Sequence, residues 1–107
     1  MKIFLCCAAG MSTSMLVSRM EQAAKEKGIE CEISAHSINE FNDCIQWGDV
    51  CLVAPQVKFK YEEFKHIANE QGKGCALIDM MNYGLLKGDL VLDQAVSLYH
   101  RHAIVEG

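Results

Sequence analysis

Ile3-Phe4-Leu5-Cys6-Cys7-Ala8-Ala9-Gly10-Met11-Ser12-Thr13-Ser14 opens the chain, and the change of pattern inside it decides the fold. Lys2 to Cys7 is a short, nearly continuous apolar run, the signature of a parallel strand covered on both faces. Ala8 to Gly10 is a small-residue turn, and Ser12 or Thr13 starts a stretch of helical periodicity that reaches Lys27. The first N–H groups of a helix have no partner within it, and with the positive end of the helix dipole they attract a phosphate and favour a thiolate. A cysteine at the carboxyl end of a strand, followed at once by a helix start, therefore sets a nucleophile beside an anion cradle. Each part also has a purely structural use. Gly10 permits a tight turn, Ser12, Thr13 and Ser14 are common N-caps, and a strand cysteine packs as a small hydrophobe. Strand alternation sends Cys6 and Cys7 to opposite faces, and Cys7 is the one that adjoins the turn.

The same alternation of patterns continues along the chain. Further strands are expected at Ile29 to Ala35, Asp49 to Ala54 and Gly74 to Asp79. The first of these alternates Ile29, Cys31, Ile33 and Ala35 with Glu30, Glu32 and Ser34, as an edge strand does. In the first helix Leu16, Met20, Ala23 and Ala24 form one buried stripe, with Gly28 as the stop. A second helix starts at Ser37, where Ser37-Ile38-Asn39-Glu40 fits a capping box, and ends near Gly48. A third covers Lys60 to Gln71 with Tyr61, Phe64, Ile67 and Ala68 on one face. A fourth starts near Asp89 with Leu92, Ala95, Val96 and Tyr99 inward and a frayed tail after Arg101. This βαβαβαβα order predicts an α/β fold of flavodoxin/Rossmann-like type. It is a single open four-stranded parallel sheet of order 2-1-3-4 with helices on both faces, and residues 1–107 form one domain. The switch point falls between strands one and three, where the Cys7 loop lies.

Composition narrows the function. Hydrophobic residues make up 50% and charged residues 22% of 107, a globular balance, and the net charge of −4 offers no basic stripe for nucleic acid. No apolar run approaches the ~20 residues that span a bilayer, so no direct membrane insertion is expected. The apolar start after Met1-Lys2 is too short and too weakly charged for a secretory signal, and cleavage would remove the first strand. Six cysteines are present without any C-x-x-C. Cys31, Cys51 and Cys75 sit in strand-like runs and read as reduced core residues.

From chemistry alone, three functions fit the loop. A cysteine phosphatase needs C-x5-R, because an arginine clamps the phosphoryl group bidentately. The residue in that place is Thr13, and Arg19 lies over a turn further along the helix. A flavodoxin-like module binding flavin or free phosphate, without catalytic activity, fits the loop but finds no aromatic pair to sandwich a ring. A covalent phosphoryl carrier fits as well: a thiolate accepts a phosphoryl group, N–H groups and hydroxyls shield it, and the group is handed on.

Phe4 to Val17 resembles the phosphocysteine loop of enzyme IIB of the sugar phosphotransferase system, in the lactose/cellobiose/chitobiose family. Val50 to Gln56, ending Ala54-Pro55-Gln56, and Ile78-Asp79 followed by Tyr83-Gly84 resemble that family too. The resemblance puts the phosphorylated cysteine on Cys7 and leaves Cys6 as an unmatched extra. It implies a cytoplasmic phosphotransferase that takes a phosphoryl group from a phosphohistidine of enzyme IIA. The group then passes to a sugar of the cellobiose, chitobiose or lactose type, bound in the membrane component IIC. On this reading the backbone N–H groups of Ala8, Ala9, Gly10, Met11, Ser12, Thr13 and Ser14 hold the phosphoryl oxygens. The hydroxyls of Ser12, Thr13 and Ser14 are auxiliary donors, and no metal or organic cofactor is needed. The missing arginine suits a relay that must keep its thiophosphate from water. His36, His66, His100 and His102 read as surface or helix-end residues, and Phe41 and Trp47 as core cover. Met11 and Met15 flank the loop as core or as an apolar rim for IIA, and Gln56 either touches the phosphate or caps a turn.

Overall fold

The computed structural model describes the backbone of residues 1–8 and 11–106 and the side chains of residues 1–8 and 13–101. Strands β1 (Lys2–Cys7), β2 (Glu32–Ser37), β3 (Val50–Val53) and β4 (Gly74–Leu77) form one parallel sheet of order β2-β1-β3-β4. Around it lie α1 (Met11–Lys27), α2 (Phe41–Trp47), α3 (Tyr61–Glu70), α4 (Met80–Gly84) and α5 (Gly88–Glu106). This is the expected architecture. The two inner strands carry it: Ile3 to Cys6 and Val50 to Val53 are wholly buried.

One face of the sheet is aromatic. Phe4 meets Phe41 of α2 at 6.0 Å between ring centroids, and Phe41 stacks on Phe64 of α3 at 3.9 Å. The other face is closed by α1 and α5, which lie side by side. Gly88 makes their approach possible: a Cβ there would stand 2.5 Å from the Arg19 carbonyl carbon and 2.6 Å from the Met20 nitrogen. Leu16, Met20, Ala23 and Ala24 of α1 are buried as the periodicity requires. In α5 the fully buried residues are Val91, Leu92 and Ala95, whereas Val96 and Tyr99 are half-buried. Phe41 is core, but Trp47 is 41% exposed and only edges it, touching Phe4 and His36.

The differences from expectation lie at element ends. β2 starts at Glu32, three residues late, because the chain before it is still finishing α1. Gly28 takes φ +68°, and the N–H groups of Gly28 and Ile29 donate back to the carbonyls of Lys25 and Ala24. This Schellman closure consumes the Ile29 N–H that a strand would need. The capping box at Ser37 is present, but it opens a 3-10 turn (Ile38–Glu40) from which α2 continues. β4 stops at Leu77 rather than Asp79, since Asp79 is the N-cap of α4, its carboxylate accepting from the N–H groups of Met81 and Asn82. Two elements were not expected: α4 itself, and the 3-10 segment Pro55–Lys60, kinked at Val57. The backbone of α5 stays helical past Arg101 to Glu106.

Candidate active site

The chain leaves β1 to one side for β2 and returns to the other side for β3, so strand order reverses between β1 and β3. Their carboxyl ends meet there, with the Ala54 N–H donating to the Cys6 carbonyl at 2.9 Å. Cys7 is the last paired residue of β1, opposite Ser37 of β2. It is only 3% exposed, and its Sγ donates to the His36 carbonyl at 3.6 Å. Ala8, next in the chain, is exposed. Ala9 and Gly10, and the side chains of Met11 and Ser12, lie outside the described residues. α1 begins at Met11, so Ser12, Thr13 and Ser14 occupy its first turn rather than the cap before it. Their N–H groups are those a helix cannot satisfy internally. Ser14 is exposed, whereas Thr13 is 1% exposed.

Thr13 Oγ1 lies 3.0 Å from the Tyr83 hydroxyl, a buried contact between residues 70 positions apart. Tyr83 is carried by α4, which is fixed at both ends. Asp79 caps the start, and the Tyr83 N–H donates to the Asp79 carbonyl. At the other end the N–H groups of Leu86 and Lys87 return to the carbonyls of Tyr83 and Asn82. That second Schellman closure places Leu86 at φ +54°, a conformation costing a non-glycine residue about 1 kcal/mol. The Tyr83 ring also lines an open apolar groove of about 550 Å³ with Met15, Pro55, Gln56, Met80 and Leu86. Met15, Met80, Met81 and Leu85 are all more than half exposed, and Met15 and Met80 share this groove. Of the expected rim, Met15 is on the surface and not in the core. Gln56 lies on the groove wall, exposed.

Of the remaining thiols, Cys6, Cys44, Cys51 and Cys75 are buried in the core, whereas Cys31, expected as a core residue of a strand, is half-buried just before β2. Cys6 points to the face opposite Cys7, its Sγ 4.0 Å from the Sγ of Cys51, and Cys75 pairs with Cys51 across β3 and β4. Burial pushes the Cys51 thiol well up from its ordinary value, and the neighbouring thiols of Cys6 and Cys75 add to it. Burial likewise raises Cys44 to about 11, with Cys6 close by. Such thiols stay protonated and poorly nucleophilic. His36 belongs to the edge strand β2, its Nε2 3.0 Å from Ser34 Oγ and its Nδ1 3.5 Å from a Glu40 oxygen. Glu40 is held below the usual carboxylate range by the Ser37 N–H first and by His36 second. Among the described residues, no three His, Cys, Asp or Glu side chains gather at ligand spacing for a metal.

The structure places Cys7 and Ala8 at the end of β1 and Thr13 in the first turn of α1, and it joins Thr13 to Tyr83, to which the sequence alone gave no role. The signal was present as an aspartate cap four residues before a tyrosine just past a strand. α4 is too short to show a helical period, so the direction of that tyrosine was not readable.

Residues 2–94 match the family model described as PTS system, Lactose/Cellobiose specific IIB subunit. The chain is 42% identical over 101 residues to the galactose-specific EIIB component of Lactococcus lactis subsp. cremoris, covering 90% of this chain and 94% of that protein. It is 37% identical over 97 residues to the oligo-beta-mannoside-specific EIIB component of Bacillus subtilis, covering 91% and 94%. Among solved structures, the cellobiose-specific phosphotransferase IIB component of Borrelia burgdorferi superposes with a TM-score of 0.80 at 36% identity, over 95% of this chain and 94% of that one. The lactose-specific IIB domain of Streptococcus pneumoniae, at 21% identity, shares the fold with a TM-score of 0.82, over 92% and 97%. No described helix is long and apolar enough to cross a membrane. The chain belongs to the lactose/cellobiose-specific IIB family of the phosphotransferase system, and is a sugar-specific phosphotransferase component that works with IIA and IIC partners.

Proposed function

We propose that Cys7 carries the phosphoryl group, and that Ala8 to Ser14 form its cradle. The observation that carries this reading is the position of Cys7: at the switch point, one residue before the loop, and 3% exposed. The thiolate sulfur donates an electron pair to phosphorus in line with the phosphohistidine of IIA. The S–P bond forms as the P–N bond breaks, and the nitrogen keeps its electron pair. In the second transfer a sugar hydroxyl oxygen bonds to phosphorus, the S–P bond breaks to return the thiolate, and the hydroxyl proton is released. Backbone N–H groups of the loop and of α1's first turn meet the charge on the phosphoryl oxygens. Burial of Cys7 suits a relay, because water must be kept from the thiophosphate between the two transfers.

The acceptor on this reading is a sugar of the cellobiose, chitobiose or lactose type held by IIC, with the chain acting at the cytoplasmic side as a single domain. Relatives named for cellobiose and galactose support that class. The apolar groove with exposed Met15 and Met80 on its wall supports docking of IIA at this end of the sheet. The test uses labelled phosphoenolpyruvate with enzyme I, the histidine-containing carrier protein and a IIA of this family. Label is expected on wild type and on Cys6→Ser and absent from Cys7→Ser; label retained on Cys7→Ser overturns the assignment.

A further inference from the structure

We infer that Tyr83 is a positioning residue for phosphoryl transfer, acting through the hydroxyl of Thr13. The inference rests on the reading of residues 8–14 as the phosphoryl cradle. Thr13 Oγ1 and Tyr83 Oη are 3.0 Å apart and buried, so one of the two hydroxyls donates to the other. A threonine hydroxyl rotates freely about its Cβ–Oγ bond and has one proton and two lone pairs. When Tyr83 donates to Thr13 Oγ1, one lone pair is occupied by a fixed donor. The Thr13 proton is then confined to the remaining directions, and a hydroxyl that is aimed beforehand costs no reorganisation when charge arrives.

Three further features mark Tyr83 as a built support rather than filler. Its helix is only five residues long, yet it is capped by a carboxylate at one end and closed by a Schellman motif at the other. That closure forces Leu86 to φ +54°, strain stored beside a site and not needed for a simple loop. Finally, Tyr83 is 7% exposed and lines the groove while its hydroxyl meets Thr13, so what occupies the groove meets the same side chain that holds Thr13.

The test measures single-turnover transfer from IIA phosphorylated through phosphoenolpyruvate, over a range of IIA concentrations. Tyr83→Phe removes one oxygen and leaves the ring in place. It is expected to lower the maximal rate about tenfold, the worth of one buried hydrogen bond, with the half-saturating IIA concentration unchanged. Thr13→Val lowers the rate at least as much, and Thr13→Ser, which restores the hydroxyl, stays within about twofold of wild type. Tyr83→Phe combined with Thr13→Val is expected to be no slower than Thr13→Val alone, because both act on one group. A wild-type maximal rate for Tyr83→Phe overturns the inference, as does a double variant whose losses multiply. So does a Tyr83→Phe protein whose thermal stability falls while its maximal rate holds. Cys7→Ser serves as a separate control: label on that variant would sink the phosphocysteine itself, whatever Tyr83 does.

Discussion

Cys7 and Thr13, six residues apart, show how much burial decides at this site. In a cysteine phosphatase the position of Thr13 would hold an arginine. Here the side chain is 1% exposed and hydrogen-bonded to Tyr83, so a guanidinium in its place would be buried. Thr13→Arg is therefore expected to cost about 3 kcal/mol or more through an unpaired buried charge and lost packing. Urea denaturation checks it, and a variant as stable as wild type would show that the site accommodates the guanidinium. Cys6 and Cys7 make the complementary point. Alternation along β1 was enough to send them to opposite faces, and the contact of Cys6 with Cys51 assigns Cys6 to the core.

At the scale of elements, strands with continuous apolar runs were readable from sequence because both sheet faces are covered, and the strand order 2-1-3-4 followed. Boundaries were less readable wherever a backbone N–H had two suitors. Ile29 has strand character, but its N–H closes α1; Asp79 follows an apolar run, but its carboxylate starts α4. The Tyr83–Thr13 contact was not readable at all, because it depends on how a five-residue helix is aimed across 70 residues of sequence. Asp79→Ala tests that aim. Losing the cap on Met81 and Asn82 should cost about 1 kcal/mol in denaturant unfolding. It should also slow phosphoryl transfer as Tyr83 loosens; transfer at the wild-type rate would separate α4 from the chemistry.

In the whole molecule the covered faces of the sheet and its rim divide the labour. On the face that packs against α2, burial raises the thiols of Cys44 and Cys51, and their ionisation is expected to lower stability in alkali. Cys44 has an ordinary value of 9.0 and a folded value of about 11. Between those values the unfolded chain has released a proton that the folded chain keeps, so stability falls as pH rises through the window and is unaffected below it. Cys44→Ala should flatten that decline by up to about 1.4 kcal/mol per pH unit, read from urea midpoints on either side of 9.0. An unchanged slope would move the alkaline limit elsewhere. The carboxyl ends of β1 and β3, at the rim of the sheet between the two covered faces, hold the proposed transfer site: buried Cys7, the start of α1, and an apolar groove. The central claim is that a single thiol links the two transfers. Mass-spectrometric peptide mapping of the chain after phosphorylation by IIA measures this directly. One phosphoryl group on Cys7 is the result expected, and a phosphoryl group on a histidine, on Cys6 or on any other residue in place of Cys7 would contradict it.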